Sequence, residues 1–430
     1  MNSPLIILET SSFAARATII LTIVIAILFV WFGVRWQIGN LFAEITQVNQ
    51  PDAREIAELA VGISPSDPFA IWLLASKERE NFGTESFETS TRLIENIVRI
   101  APNDFRWWIE LGRAYEQTER PAEAERALLR AVELAPAYTF PRWQLGNFYL
   151  RQRRTDEAFA ELIKTTEKSS VYREQVFALA WDYFGKDPSM VEKLAGDAPD
   201  IRSSLAMFYA VRGAAADALR NWNLLSEEQK AADPRLPRIM AQGLYDKLSF
   251  REALEFAKQA GIDPEASIGA VSNGGFEKFL GSPDDTLFGW NVYRGDARFE
   301  ASVDSGVKRE GARSLKVTFK GYIKPELHNV VQIIAVESGT DYRLTFWVRT
   351  ENLRSGGPPI LQVTNMNDGA ILGATEPFAN GTSDWEQKTI DFTVPADCTG
   401  ISIRTARTFC GGECPIAGTF WYDDFALSRR

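Results

Sequence analysis

The chain has 430 residues, which is long for one ordinary domain, so two or three folded units are expected. Its 57 acidic side chains outnumber its 47 lysines and arginines, and the formal net charge is −10. This balance, without a long basic run, argues against a nucleic-acid partner.

An uncharged apolar run over residues 17–34 lies between Arg16 and Arg35. As a helix rising 1.5 Å per residue, it nearly spans a hydrocarbon core about 30 Å thick. We therefore expect a tail over residues 1–16 and a transmembrane anchor over residues 17–36. A cleaved signal peptide is the alternative, although the run is long for one and no small-residue cleavage site follows it.

Two later segments share residues at a spacing of 34. The first carries Trp108, Leu111, Gly112, Tyr115, Ala124, Leu128, Ala131 and Pro136, and the second carries Leu145, Gly146, Tyr149, Ala158 and Leu162. On helices, these positions form two facing stripes, with Gly112 small enough for close approach and Pro136 ending the second helix. The pattern resembles the tetratricopeptide repeat (TPR).

Such helix pairs bury their apolar faces only when about three or more of them stack. Weaker copies flank the two clear ones, and we expect an all-α array of about six pairs over residues 51–262. The weak copies are also compatible with generic helical hairpins. The resemblance implies a protein partner on the concave surface of the array.

The pattern changes near Ile262, and short runs then alternate at period two. Leu315, Val317 and Phe319 form one such run, Tyr342, Leu344, Phe346 and Val348 form another, and Ile401 and Ile403 form a third. These runs predict an all-β sandwich. Asn273–Glu277, Gly289-Trp290, Tyr342–Trp347 and Gly418–Phe425 resemble carbohydrate-binding modules of families 4, 9 and 22. The resemblance implies a jelly roll over residues 268–430.

The resemblance also implies one structural Ca²⁺ between strand ends. Glu277, Asp423 and Asp424 occupy the matching motifs, and carboxylate oxygens are suitable Ca²⁺ ligands. Alternatively, these acids cap turns or pair with arginines.

The resemblance further implies a sugar-binding groove on one sheet. Strand alternation places a polar set opposite the core residues, and we take Trp347, Arg349, Gln362 and Arg404 as the binding candidates, with Trp290 and Tyr322 as weaker ones. The alternative is that Trp347 is a second-face aromatic covered by a loop or by the helices. The fold alone fixes no ligand.

Cys410 and Cys414 are separated by Gly-Gly-Glu, and we expect a disulfide between them, which requires an oxidising compartment. A metal pair is the alternative, but two thiolates without further Cys or His ligands make a poor zinc site. The flanking positive charges, Arg16 on one side and Arg35 with Arg54 on the other, are nearly even and lean slightly towards a cytoplasmic body. The disulfide and the sugar-type fold favour a bacterial inner-membrane protein whose body is periplasmic or extracellular.

We expect no enzymatic activity, because the single histidine, His328, would be the only candidate base for a catalytic triad. The combination suggests a membrane-anchored scaffold that acts in assembly or export of a cell-surface polysaccharide. A pure protein–protein adaptor and a non-catalytic subunit of a polysaccharide-processing complex are the alternatives.

Overall fold

The computed structural model describes residues 12–430, apart from residues 169, 197, 199, 279, 281–285, 294–295, 325–326 and 328. His328 and most of the N-terminal tail therefore lie outside the described residues. The chain divides into two compact units, Met1–Ala198 and Pro199–Arg430, and the division falls inside the predicted repeat region.

The first unit is all-helical. Its helices are α1 Phe13–Ile45, α2 Ala53–Ile63, α3 Pro68–Arg79, α4 Thr84–Ile100, α5 Phe105–Gln117, α6 Pro121–Leu134, α7 Thr139–Arg151, α8 Thr155–Lys168, α9 Arg173–Tyr183 and α10 Pro188–Ala195. A 3₁₀ turn, Ser170–Tyr172, precedes α9. From α3 onward, successive helices form the pairs that the repeat pattern predicts.

Helix α1 is long and apolar enough to cross a membrane, by length and composition. It continues beyond the apolar run. In its last third, one face packs against the protein, and Gly39, Asn40 and Ala43 on that face are buried. Arg35 donates from Nε to the carbonyl of Ile63 at 2.5 Å, at the end of α2. The end of α1 thus serves as the first helix of a pair with α2.

In the two clear repeats, Gly112 and Gly146 lie where the two helices of a pair approach closely. A Cβ on Gly112 would lie 2.7 Å from Cγ of Leu128, and one on Gly146 would lie 2.8 Å from Cγ of Leu162. Only glycine therefore permits this approach of α5 to α6 and of α7 to α8. Asp104 caps the N-terminus of α5, since its carboxylate accepts a hydrogen bond from the N–H of Arg106 at 3.0 Å.

In the second unit, the described residues form five helices and two sheets. Its helices are α11 Ile201–Arg212, α12 Ala215–Asn223, α13 Glu227–Ala232, α14 Leu236–Asp246 and α15 Phe250–Gln259. Its strands are β1 Asn291–Val292, β2 Phe299–Asp304, β3 Ser314–Tyr322, β4 Val330–Ala335, β5 Asp341–Ser355, β6 Pro359–Asn365, β7 Ile371–Ala374, β8 Gly381–Thr393, β9 Gly400–Arg407 and β10 Ile416–Arg429.

The strands form two antiparallel five-stranded sheets. Sheet A has the order β1-β4-β9-β6-β7, and sheet B has the order β2-β3-β10-β5-β8. The inner faces share one apolar core, in which the rings of Phe346 and Phe425 stack with centroids 4.8 Å apart. Tyr342, Leu344 and Phe346 are fully buried, as the alternation predicts. The predicted fold class, a helical TPR-like region followed by a β-sandwich, is confirmed.

Candidate functional site

The predicted binding residues lie on two different sheets. Trp347 and Arg349 are on β5 of sheet B, whereas Gln362 on β6 and Arg404 on β9 are direct partners in sheet A. Both pairs point away from the shared core, so their side chains face opposite sides of the sandwich. The predicted single groove is therefore wrong, because alternation separates inward from outward positions but cannot say which sheet a strand joins.

The outer face of sheet B is covered around its tryptophans. The guanidinium of Arg309 lies 4.5 Å from the ring centroid of Trp347, a cation–π contact. Neighbouring Trp421 is 2% exposed and donates from Nε1 to Asp304 at 2.9 Å. This arrangement matches the alternative in which Trp347 is an aromatic residue covered by a loop.

The two weaker candidates are core residues. Trp290 is 3% exposed, and its ring centroid lies 5.0 Å from that of Phe425. Tyr322, at the end of β3, is 4% exposed and belongs to the same core. Neither side chain is available to stack on a sugar, so both are withdrawn as candidates.

The outer face of sheet A carries the helical hairpin α14–α15 at one end. Phe250, the first residue of α15, is 1% exposed. A Cβ on Gly400 of β9 would lie only 2.2 Å from Cδ2 of this ring, so the ring rests directly on the strand backbone. The hydroxyl of Thr399 also donates to the carbonyl of Leu248 at 3.2 Å. The hairpin therefore closes this end of the sheet.

Beside the hairpin, the uncovered part of sheet A forms a cleft of about 600 Å³. Its lining residues are Gln242, Tyr245, Thr286, Leu287, Asn291, Tyr293, Val331, Ile333, Thr364, Asn365, Met366, Gly369, Ser402 and Arg404. The volume falls in the usual range for small-molecule sites. We call this the sheet A cleft.

Two tyrosines flank the sheet A cleft, and sequence reasoning missed both. Tyr293 follows β1 and is 59% exposed, whereas Tyr245 comes from α14 and packs edge-on against Phe288 with centroids 5.4 Å apart. Burial raises the pKa of Tyr245, and the nearby Tyr293 raises it further, so the two rings share one site. Period-two alternation from Trp290 could have placed Tyr293 on the outer face. Tyr245 lies on helix α14, where no local pattern indicates a contact with the sheet.

The polar groups in the cleft are incompletely paired. Arg404 donates from Nε and Nη2 to Oε1 of Gln362 at 3.4 and 3.3 Å. Burial lowers the pKa of this arginine because the charged form loses hydration. Oδ1 of Asn291 is buried and has no hydrogen-bond partner among the described residues. The cleft thus combines the guanidinium of Arg404 and two aromatic rings with a buried acceptor, Oδ1 of Asn291, that has no partner among the described residues.

The proposed calcium ligands lie close together at one edge of the sandwich. A Cβ on Gly275 would lie 3.7 Å from Oδ1 of Asp424 and 4.0 Å from Oδ1 of Asp423. Burial, followed by the charge of Asp424, raises the pKa of Asp423 to about 6. Oδ2 of Asp423 accepts from the N–H of Arg309 at 2.8 Å, and Oε1 of Glu277 accepts from the N–H of Ala312 at 2.8 Å.

These contacts bear on the metal in two ways. The donor chemistry suits Ca²⁺, and a cation would relieve the repulsion between buried Asp423 and its neighbour Asp424. However, backbone N–H groups already satisfy several of the oxygens. Among the residues that the structure describes, no group of three or more His, Cys, Asp or Glu side chains has the spacing of a metal site.

A disulfide joins Cys410 to Cys414 beside the end of β9, and Cys398 is free and buried. Arg407 packs against this loop, with Nη2 3.0 Å from the sulfur of Cys414 and Nε donating to the carbonyl of Gly357 at 3.0 Å. The bond therefore belongs to a buried polar network at the end of sheet A.

Comparisons with known proteins agree with this division of the chain. A sequence model of carbohydrate-binding domains matches residues 269–406, and one of tetratricopeptide repeats matches residues 106–138. No curated protein sequence matches the chain. The chain thus carries TPR-type helices followed by a domain that resembles carbohydrate-binding modules of families 4, 9 and 22. Both matched domains are of non-catalytic kinds.

Similar solved structures cover one part of the chain at a time. A family 4 carbohydrate-binding module is 18% identical, covering 37% of this chain and 99% of its own, with a TM-score of 0.28. A family 61 module in complex with β-1,4-galactotriose is 21% identical, covering 38% and 100%, with a TM-score of 0.27. MamA from Desulfovibrio magneticus RS-1 is 21% identical, covering 31% and 73%, with a TM-score of 0.27.

Proposed function

We propose that this protein is a non-enzymatic, membrane-anchored scaffold whose β-sandwich binds a glycan in the sheet A cleft. The repeats would recruit a protein partner, and the whole would act in assembly or export of a cell-surface polysaccharide. The sheet A cleft is the observation that carries this proposal. It combines two flanking tyrosines with amide, hydroxyl and guanidinium groups, the mixture that sugar rings with their hydroxyls require.

The helical hairpin makes this cleft different from an open groove. Because Phe250 rests on Gly400, the outer face of sheet A is blocked at one end. A glycan would enter from the uncovered end, between Tyr293 of the sandwich and Tyr245 of α14. The helices and the sandwich of the second unit would therefore bind the glycan jointly.

Membrane anchoring is supported by the packing of α1. Arg35 and Gly39 lie beyond the apolar run, yet they contact the end of α2, where a Cβ on Gly39 would lie 2.4 Å from Cβ of Ser64. Signal cleavage just after the apolar run would retain Arg35 and Gly39, so these contacts alone do not distinguish an anchor from a signal peptide. The continuity of α1 from Phe13 to Ile45 supports an uncleaved anchor, because one unbroken helix joins the apolar run to the segment that packs on α2.

The orientation follows from the compartment that the cysteines require. A disulfide between Cys410 and Cys414 persists in oxidising compartments, which favours a periplasmic or extracellular body behind a bacterial inner-membrane anchor. A periplasm-dependent reporter fused after Arg430 should therefore be active. Activity only of a cytoplasmic reporter would reverse the orientation and remove the polysaccharide role.

One structural Ca²⁺ near Glu277, Asp423 and Asp424 remains part of the proposal. The raised pKa of Asp423 supports it, because a bound cation would compensate the buried charge. Elemental analysis of the purified chain tests it directly. Absence of calcium after dialysis against calcium-containing buffer would leave the three acids as turn residues.

The test of glycan binding uses the full chain in lipid nanodiscs on a glycan array that includes bacterial surface polysaccharides. The proposal predicts saturable binding to at least one glycan, confirmed by titration calorimetry. Absence of binding across the array, together with capture of a protein partner by the repeats, would favour the pure adaptor.

A further inference from the structure

The charge of the sheet A cleft is unusual for this acidic chain. Of the described residues that line the cleft, Arg404 alone carries a charge, and no aspartate or glutamate is among them. The whole chain has ten more acidic than basic side chains, since 57 minus 47 is 10. Arg404 is therefore the charged group that faces the cleft, and a guanidinium among neutral lining residues attracts anions. The carboxylate of Asp263 lies beside the lining, but it is buried and accepts a hydrogen bond from the N–H of Leu287 at 2.7 Å.

Among the described residues, Arg404 has fewer hydrogen-bond partners than a half-buried guanidinium normally finds. Its described hydrogen bonds both go to one oxygen of Gln362, at 3.4 and 3.3 Å, near the long limit for such bonds. Burial lowers the pKa of Arg404, and among the described residues no carboxylate forms an ion pair with its guanidinium. A guanidinium has five N–H donors, and most of those of Arg404 remain available.

Arg407, three residues further along the same strand, provides a comparison, because its guanidinium is held by protein acceptors. It donates to the carbonyl of Gly357 at 3.0 Å, to the carbonyl of Lys324 at 2.7 Å and to the hydroxyl of Ser355 at 2.8 Å. Its guanidinium is thus engaged on several sides by protein oxygens. Within the described part of the chain, Arg404 has only the side-chain oxygen of Gln362 as an acceptor, and its guanidinium lines the cleft.

We propose that the sheet A cleft binds an acidic sugar, with the carboxylate of a uronic acid paired to Arg404. This inference rests on the proposed glycan-binding function and specifies its ligand class. The planar guanidinium fork suits a carboxylate, which can accept two parallel N–H bonds. Tyr293, which is 59% exposed, would contact the ring face.

The test compares acidic oligosaccharides with their own neutral forms. Oligogalacturonate, alginate and hyaluronan oligosaccharides are titrated into the full chain in nanodiscs, each before and after chemical reduction of its carboxyl groups to alcohols. The intact form of at least one should bind about tenfold or more tightly than its reduced form, since charged hydrogen bonds are the stronger kind. Added salt should weaken binding of the intact form.

Variants then assign the effect to Arg404. Arg404→Gln should abolish the preference for the intact form without lowering the melting temperature, and Arg404→Lys should retain part of it. Arg354→Gln, which removes an exposed arginine on β5 of sheet B, should change neither binding nor preference.

The possible failures are distinguishable. Equal binding of the intact and reduced forms, unaffected by Arg404→Gln, would overturn the acidic-sugar inference and leave glycan binding standing. A loss of stability in Arg404→Gln without a loss of preference would also overturn it, because Arg404 would then be structural. Binding of neither form, with no other glycan bound on the array, would overturn the inference together with the proposed function.

Discussion

The seating of the α14–α15 hairpin on sheet A makes a specific prediction about Gly400. Replacing it with alanine adds a Cβ that would lie 2.2 Å from Cδ2 and 2.7 Å from Cγ of Phe250, where carbon atoms normally rest at about 3.5–4.0 Å. Because Phe250 is 1% exposed and packs against Tyr245, its ring cannot swing into solvent. We expect Gly400→Ala to destabilise the second unit by about 1–3 kcal/mol through overpacking.

A double-mutant cycle isolates this contact. Phe250→Ala alone should cost about 3–5 kcal/mol, as other truncations of buried phenylalanine do. In that background the added methyl group meets a cavity, so Gly400→Ala should cost nothing or recover stability. The double mutant should therefore lose about 1–3 kcal/mol less unfolding free energy than the sum of the two single mutants.

The readout should report on the second unit rather than the whole chain. Denaturant-dependent hydrogen exchange, measured on peptides from α15 and β9, follows this region separately from the first unit. Gly412→Ala is the matched control, because a Cβ there meets nothing within 4 Å, and it should change stability by less than about 1 kcal/mol. An equal cost of Gly400→Ala in both backgrounds would mean that the hairpin does not rest on this strand.

Three further predictions concern other parts of the chain. In calcium-free buffer the pKa of Asp423 is raised from 3.8 to about 6, so this carboxyl binds its proton more tightly in the folded state. The unfolding free energy of the sandwich should then fall by up to about 3 kcal/mol as pH rises from about 4 to 7. Asp423→Asn should flatten this profile in denaturant melts, and a persisting slope would assign it to other groups. Gly39→Leu should speed hydrogen exchange in α2, whereas Gly33→Leu, with no neighbour within 4 Å, should not. Cys410→Ser should lower stability by about 2 kcal/mol by opening a short loop, which a reducing agent should reproduce in the wild type.

Local patterns were sufficient to predict part of this fold, namely helices α5–α8 and strands β3, β5 and β9. The 34-residue spacing predicts helices α5–α8, since Gly112 and Gly146 each mark a helix crossing where a Cβ would collide with a leucine. Period-two alternation likewise predicts that Phe346 is buried and that Trp347 faces outward. Both signals are local, because the geometry of one helix or one strand fixes which residues share a face.

The candidate site could not be predicted in the same way because it depends on long-range pairing. β5 joins β10 and β8, whereas β6 joins β9 and β7, so neighbouring strands in sequence belong to opposite sheets. Arg349 and Arg404 therefore look equivalent in sequence but lie on opposite faces. Tyr245 was missed for a related reason, since its role in the cleft depends on how α14 approaches sheet A.

Contacts between distant segments determine the roles of Trp347 and Asp423, for which the sequence left alternatives open. Trp347 is covered by the guanidinium of Arg309, which lies 38 residues earlier, and Asp423 is held by backbone N–H groups of residues 309 and 310. These contacts join segments that no periodicity relates. Only the three-dimensional arrangement distinguishes a ligand platform from a covered ring.

The most direct test of the central claim is a comparison of two aromatic variants by titration calorimetry, using a glycan that the full chain binds. Tyr293→Ala should weaken binding about tenfold or more with little change in melting temperature. The reason is that this ring is 59% exposed without ligand and becomes buried only in the complex. Trp347→Ala, on the outer face of sheet B, should leave affinity unchanged. Loss of affinity in Trp347→Ala with normal binding by Tyr293→Ala would contradict the account and move the site to sheet B.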